Sequence, residues 1–349
     1  MPGRTAIGLD IGTSGVRAAE LSYGKGGITL EKFGQVAIPE GAVRDGEVMD
    51  QRVVADALKA LWKGSGFSGK KVALGIANQR VVVRQVELPW MPAAELRKSL
   101  PLQVQDHLPM PVADCVIDFH TVEEVRDGDT RLLRGLLVAA SREMVMANVQ
   151  AVQAAGLRPV SVDLSSFAVL RAVARPHSAD VATEALLDIG ARVSNLVVHS
   201  AGVPRFVRVL LMGGQDVTDA VAERLGVPSA LAELIKRGGA EDVPDEEREL
   251  AGTAVDLMLE AFVDEIRSSL DYYSAANPQF RPERLVLSGG GSLLSSIAER
   301  LSSAVRLPVV AGDAISPLHL GRTGLDEHQL GLVQPLAAVP VGLALGVIS

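Results

Sequence analysis

The sequence is short of the residues that would announce several common functions. Cys115 is its one cysteine, so an intrachain disulfide is excluded, which fits a reducing cytoplasm. Six histidines are scattered through the chain with no pair at metal-ligand spacing, which argues against a structural zinc site. Aromatic residues are only 3% of the chain, so Leu, Val and Ala must fill whatever core it has. No dense Lys/Arg run occurs, and the formal net charge is -8, opposite to the basic face a nucleic-acid binder presents. No apolar run reaches the roughly 20 residues a membrane span needs. The apolar stretch from Leu336 to Ile348 is short and interrupted by Pro340, Gly342 and Gly346, so it reads as a buried helix. The N-terminus enters a strand within a few residues and shows no secretory pattern.

What is present is a large apolar fraction, 48% of 349 residues, enough for two or three domains. Residues 6–10 form an apolar strand ending in Asp10, followed by the turn Ile11–Gly12–Thr13–Ser14–Gly15 and two more strands punctuated by glycine. The pattern returns half a chain later. Ala185–Asp188 is a strand, the turn Ile189–Gly190–Ala191–Arg192 follows, and two further strands come next. A repeat of this length is no solenoid period; it predicts two related domains that open with the same hairpin.

Between the repeats, Gln51–Lys63 has helical periodicity and Lys71–Ile76 reads as a strand. Residues 80–156 read as a separate β-α-β-β-α unit. Pro92 at the first helical position opens its first helix, Pro101 kinks or ends it, and a hairpin turns at Arg126–Asp129. The last helix, Arg142–Ala155, is expected to be capped by Ser141 and closed by Gly156. After the second repeat, helices are expected at 215–225, 229–237 and about 252–275, with the acidic stretch 241–249 as a solvated loop. Leu285–Leu287 is a strand running into Ser288–Gly289–Gly290–Gly291–Ser292, with a helix over Leu293–Ser302.

The glycine turns carry the chemistry. Glycine allows close backbone approach, and successive N–H groups form a nest for an anion. Thr13 and Ser14 add hydroxyl donors. Asp10 and Asp188 each end a strand where phosphate would lie. A carboxylate there repels phosphate unless a divalent cation intervenes, and Mg²⁺ bound by one or two carboxylates, water and phosphate oxygens suits both. One Asp-Ile-Gly turn is an ordinary hairpin; two in matching contexts, with a third glycine turn, point to ATP. The third turn lacks the Lys-Ser/Thr of a P-loop, and its glycines are placed to lie flat against a purine or ribose.

These segments resemble the two phosphate loops and the adenosine loop of the actin–Hsp70–sugar kinase superfamily. Over nearly the whole chain the closer resemblance is to the PilM family of type IV pilus assembly proteins, relatives of the cell-division protein FtsA. It is carried by GLDIGTSGVRAAEL, VVRQVELPWMP, LPMPVADCVIDF, LLDIGARVSNLVV, the turn Gly213–Gly214–Gln215–Asp216, AELIKRG, LVLSGGGSLL and VGLALG. The resemblance implies an α/β, actin-like (ribonuclease H-like, duplicated) two-domain fold. Residues 1–79, 157–180 and the C-terminal helix 336–349 would form the first domain and 80–156 an inserted subdomain. Residues 181–335 would form the second domain, with a smaller subdomain at about 215–280.

The same resemblance implies that Gly12, Thr13, Ser14 and Gly15 wrap the β- and γ-phosphates with Arg17 nearby. Gly190, Ala191, Arg192 and Ser194 would form the second phosphate loop beside Gly213. Glu233 and Lys236 would reach the ribose or adenine, although an i,i+3 surface salt bridge is the plain alternative. Gly289, Gly290, Gly291 and Ser292 would cup the adenosine. The segment after Asp163, LSSFAVL, stands where relatives place a group that orients water; its Ser165 and Ser166 are poor bases, and Asp163 is the catalytic candidate, with a helix cap or hinge contact as its alternative role. Slow or absent turnover is therefore expected. The implied partner is the cytoplasmic N-terminal tail of the inner-membrane protein PilN, with pilus assembly ATPases as further contacts. The protein would be cytoplasmic, held at the inner face of the membrane through partners. An FtsA-like filament protein and a small-molecule kinase are the alternatives; the first is expected to carry a C-terminal amphipathic helix and the second a catalytic Asp in a sugar pocket. A crease between the insert and the first domain, with Val83, Val86, Leu100 and Leu108 as candidate lining, is the expected peptide groove.

Overall fold

The computed structural model describes residues 4–128, 130–174, 182–239 and 243–347. The expected domain boundary at 180 and 181, the turn residue Asp129, positions 241 and 242 of the acidic stretch, and Ile348 lie outside them.

The first lobe opens with an antiparallel meander, β1 (Arg4–Ile11), β2 (Gly15–Gly24) and β3 (Gly27–Ala37). A small hairpin, β4 (Val43–Arg44) and β5 (Glu47–Val48), leads to helix α1 (Gln51–Ser65). Asp50 caps α1 by accepting from the N–H groups of Arg52 and Val53, both at 3.0 Å, and Gly66 ends it in the left-handed region. Val54, Leu58 and Leu61 recur at helical spacing and are fully buried against the sheet. Strand β6 (Lys71–Ile76) then pairs parallel with β1.

The insert follows as β7 (Val81–Pro89), α2 (Ala93–Gln103), β8 (Cys115–Asp127), β9 (Thr130–Ser141) and α3 (Arg142–Ala154). Its sheet has the order β7-β9-β8, and α2 covers one face. The chain returns through β10 (Arg158–Leu164), parallel to β6, and leaves through α4 (Ser165–Val173).

The second lobe repeats the plan. β11 (Thr183–Ile189), β12 (Ser194–Ser200) and β13 (Val203–Leu210) form the meander. Helices α5 (Gly214–Leu225), α6 (Ser229–Lys236) and α7 (Asp245–Ala276) intervene. β14 (Arg284–Ser288) then pairs parallel with β11, and after α8 (Ile297–Val305), β15 (Val309–Ala311) pairs parallel with β14. The chain finishes by returning to the first lobe. β16 (His319–Leu320) adds to β3, and α9 (Glu327–Val333) leads to α10 (Ala338–Gly346). The two sheets therefore read β16-β3-β2-β1-β6-β10 and β13-β12-β11-β14-β15, one five-stranded topology used twice with β16 added to the first.

α10 is the buried helix expected from its composition, and its glycine explains how close it sits. A Cβ at Gly342 would lie 1.8 Å from the carbonyl oxygen of Ala168 in α4. One apolar cluster runs from Ala6 and Leu21 of the first sheet through Val169 of α4 and Val341 of α10 to Leu186 and Val286 of the second. The lobes thus share a core beneath the cleft. No single helix among the described residues is long and apolar enough to cross a membrane.

Several local expectations change. Residues 245–249 belong to α7, where Asp245, Glu246 and Glu247 in the first turn complement the positive helix N-terminus. Helix α8 starts at Ile297, because Gly290–Leu293 tighten into a 3₁₀ turn. Pro92 stands one position before α2 rather than at its first residue, and α2 runs past Pro101 to Gln103. Ser141 precedes α3 without a side-chain cap bond. Three of the four candidate crease residues, Val86, Leu100 and Leu108, pack in the insert's own core; Val83 alone faces the junction with the first lobe. α3, finally, lays Ala151 and Val152 into the first lobe's core beside α1.

Candidate functional site

Asp10 and Asp188 end the central strands of the two sheets, at equivalent points of the repeat. In the first hairpin the Gly12 N–H closes on the Gly15 carbonyl at 3.0 Å; in the second, Gly190 closes on Val193 at 3.1 Å. Register places Arg17 opposite Asp10 and Asn195 opposite Asp188. Arg17 Nη1 lies 3.6 Å from Asp10 Oδ2, and its Nε is buried without a hydrogen-bond partner. Asp188 Oδ1 accepts from Ser288 Oγ at 2.8 Å.

Burial pushes the Asp10 carboxyl above its ordinary range, and Arg17 only partly opposes this. Asp188 is pushed up to about 6, first by burial and further by the charge on Asp10, against hydrogen bonds from Ser288 and Asn195. Each lobe thus presents a carboxylate near the end of its strand, Asp10 half-buried and Asp188 buried, and Asp188 feels the charge on Asp10. Two negative groups held together this way fit a shared cation. Among the described residues no three His, Cys, Asp or Glu side chains cluster as a ready metal site, so the remaining oxygens would come from a ligand and from water.

The second glycine turn is buttressed from two sides. Gly214 and Gln215, at the start of α5, donate to the carbonyls of Gly190 (3.0 Å) and Ala191 (2.7 Å). A Cβ at Gly213 would meet the Gly190 oxygen at 2.4 Å, so only glycine fits between turn and helix. Gly289 has φ +81° and lies against Ile189, where an added Cβ would be 2.3 Å from the carbonyl oxygen. Its N–H donates to Pro335 at 2.7 Å, tying this turn to the segment before α10.

Glu233 and Lys236 form a built pair rather than a solvated one. Lys236 Nζ donates to the Gly214 carbonyl at 2.9 Å and to Thr218 Oγ1 at 2.8 Å, and lies 2.5 Å from Glu233. Burial works to raise the Glu233 carboxyl, but hydrogen bonds from Lys236, Thr218 and Arg237 outweigh it, and the net direction is downward. A Cβ on Gly214 would stand 3.8 Å from Lys236 Nζ and 3.9 Å from Gly291 Cα, so the start of α5, the end of α6 and the Gly289–Ser292 turn converge.

Contacts between the lobes complete the site. Arg192 reaches Glu40 of the first lobe at 3.2 Å, and is held in its own lobe by Asp219 at 2.6 Å and Asp216 at 3.3 Å. Ser166 Oγ donates to Asn195 Oδ1 at 2.8 Å, linking α4 to β12. Three further sequence-predicted residues have polar atoms engaged within the protein. Ser194 is fully buried, and its hydroxyl braces the Met212 carbonyl at 2.7 Å. Asp163 is ion-paired with Arg171, which also donates to the Gly342 carbonyl at 3.0 Å. Ser292 Oγ folds back on the Gly289 carbonyl at 2.7 Å. Sequence reasoning overlooked Asn195, Ser288, Thr218 and Glu40. Asn195 stands at the repeat equivalent of Arg17, so aligning the repeat would have found it; Ser288 heads the third turn, where only its role as a donor to Asp188 was missed. Nothing local marks Glu40.

The chain is similar over its whole length to solved structures. A chain of the PilM–PilN type IV pilus biogenesis complex matches at 27% identity and TM-score 0.87, with 100% of both chains covered. The ethanolamine utilization protein EutJ from Carboxydothermus hydrogenoformans matches at 15% identity and TM-score 0.57, covering 99% of this chain and 90% of that one. MreB5 of Spiroplasma citri, bound to ADP, matches at 15% identity and TM-score 0.50 over 89% and 92%. The last two speak to the fold alone, which is the two-domain actin-like one. The family of the type IV pilus assembly protein PilM matches residues 8–347, and this chain belongs to that family.

Proposed function

We propose that this protein is a nucleotide-binding adaptor of the type IV pilus machine, which holds the cytoplasmic N-terminal tail of PilN and tunes that grip through ATP. The observation that carries the adaptor reading is the full-length likeness to a chain of the PilM–PilN complex. The facing Asp10 and Asp188 carboxylates support the nucleotide half.

In this reading the Gly12–Gly15 and Gly190–Arg192 turns receive phosphates from opposite sides, with Arg17 supplying fixed positive charge. Asp10 and Asp188 would hold Mg²⁺ together with water and phosphate oxygens, and the ion would offset the charge between carboxylates and phosphate. The Gly289–Ser292 turn, the start of α5 and the Lys236–Glu233 pair form the wall for ribose and base. Hydrolysis needs a group that orients water for in-line attack. Asp163 is held by Arg171 and Ser166 is spent on Asn195, so turnover is much slower than the ~1–100 s⁻¹ typical of kinases.

The peptide groove is the crease between the insert sheet and α4. Val83 and Val138 of the insert and Phe167 of α4 are half-buried there, and the His120 ring lies 5.8 Å from that of Phe167. An extended tail gains main-chain hydrogen bonds and places alternate side chains in such a groove. The insert also touches the second lobe, where Arg205 Nη1 is 3.8 Å from Glu123. Lobe closure over nucleotide therefore acts on both walls of the crease. Anchoring at the inner face of the membrane follows from holding PilN. The test is calorimetric titration of a PilN tail peptide into the wild type and Val83→Asp, with ATP binding measured in parallel. Loss of peptide binding with ATP binding retained supports the groove; unchanged peptide affinity places the site elsewhere.

A further inference from the structure

The far end of the first sheet carries a second polar site that the cleft does not use. Strand β2 presents Val16, Ala18, Glu20 and Ser22 in alternation on the face toward α1. The first two are fully buried in the core beneath α1. The helix ends at Ser65, over Gly34, and beyond it the face turns polar. The next rows bring Glu20 opposite Lys32, and Thr5, Ser22 and Thr29 side by side, with Glu31 in the bulge of β3. These residues line a hollow of about 470 Å³, open to solvent. Asp10 lies five residues further along β1, so at ~3.3 Å per residue the hollow is roughly 16 Å from the cleft.

Glu20 is the unexplained group. It is only 8% exposed, yet its Oε2 has no hydrogen-bond partner. Lys32 Nζ is 3.9 Å away, outside hydrogen-bonding range, and donates instead to the Gly66 carbonyl that ends α1. Glu31, the second carboxylate, accepts from Ser22. A buried carboxylate oxygen without a donor is costly; the Lys32 ammonium offsets its charge from ion-pair distance but supplies no hydrogen bond. Two carboxylates and one ammonium leave a net charge of -1, matched to a single monovalent cation. The volume exceeds what a bare metal ion fills, and the ammonium of Lys32 disfavours a divalent one. Several acceptors spread over two ladder rows suit the planar, five-donor guanidinium better than the point charge of an ammonium.

We propose that this hollow is a docking pocket for an arginine side chain of a protein partner, its guanidinium received by Glu20 and Glu31. The site is independent of the nucleotide cleft and of the peptide crease.

The experiment uses the full chain with threonine methyl groups labelled for NMR. N-acetyl-arginine amide is titrated in at neutral pH, with the uncharged isostere N-acetyl-citrulline amide as comparison. Saturable shifts at Thr5 and Thr29 are expected with arginine only. Glu20→Gln and Glu31→Gln should each weaken binding at least tenfold, while Lys32→Met, which removes the competing cation, should tighten it several-fold. Equal response to citrulline, absence of any shift, or a Lys32→Met variant that binds no better overturns the proposal. So does Mn²⁺ broadening the same methyls at lower concentration than arginine is needed, which would make the hollow a metal site.

Discussion

Asp188 sets stability against the proposed nucleotide binding, and the size of the conflict follows from its surroundings. Its carboxyl is raised from 3.8 to about 6, chiefly by burial. A folded-state value above the unfolded one means that the charged form destabilises the fold. The native state then holds more protons than the unfolded state between these two values, so the penalty is complete above about pH 6 and fades as pH falls toward 3.8. A shift of about two units is worth about 3 kcal/mol. Asp188→Asn removes the charge and keeps one acceptor for Ser288, but loses the acceptor that serves Asn195, costing about 1 kcal/mol. Urea denaturation of the nucleotide-free protein in EDTA should therefore show D188N more stable than wild type by about 2 kcal/mol at pH 7.5, with the gain gone by about pH 4.5. With ATP and Mg²⁺ present the order should invert, because the wild type alone gains the full stabilisation of a native-state ligand. A D188N protein less stable than wild type at pH 7.5 in EDTA, or a gain that persists unchanged at low pH, would refute the reasoning.

Other expectations are narrower. Gly213→Ala drives a Cβ to 2.4 Å from the Gly190 oxygen, so the second glycine turn must shift; ATP affinity by calorimetry should fall at least tenfold, with about 1–3 kcal/mol of stability lost to overpacking. Glu40→Ala cuts the Arg192 bridge between lobes at a largely exposed site; stability in urea should change by less than about 1 kcal/mol, while fluorescent nucleotide should dissociate faster in stopped flow. Asp10→Ala should abolish the Mg²⁺-dependent part of ATP stabilisation in a thermal melt and leave a weaker metal-independent part.

Much of the fold was legible because its signals are local and occur twice. Strand, Asp, glycine turn, strand is readable at Asp10 and again at Asp188, and the repeat alone implied two lobes with the turns facing each other. Helix boundaries were less legible where the deciding term lies elsewhere. The acidic run at 245–249 looks like a solvated loop until it is seen as the first turn of a long helix whose dipole it complements. Leu293 and Leu294 look helical, but the positive φ at Gly289 and the 3₁₀ turn after it delay α8 to Ile297. In the site, residue types at turns could be read, while their partners could not. Ser194 sits in the phosphate-loop segment, and only the fold reveals that its hydroxyl is spent on Met212. Val86, Leu100 and Leu108 illustrate the same limit, since apolar pattern marks burial without saying in which core.

The most direct measurement is a pair of calorimetric titrations of PilN tail peptide into the full chain, one without nucleotide and one with saturating ATP and Mg²⁺. Coupling through the shared core and the Glu123–Arg205 contact predicts peptide affinities that differ by ~5–150-fold, the range of typical allosteric coupling. Identical affinities in the two titrations, with ATP shown to be bound, would contradict a nucleotide-tuned adaptor.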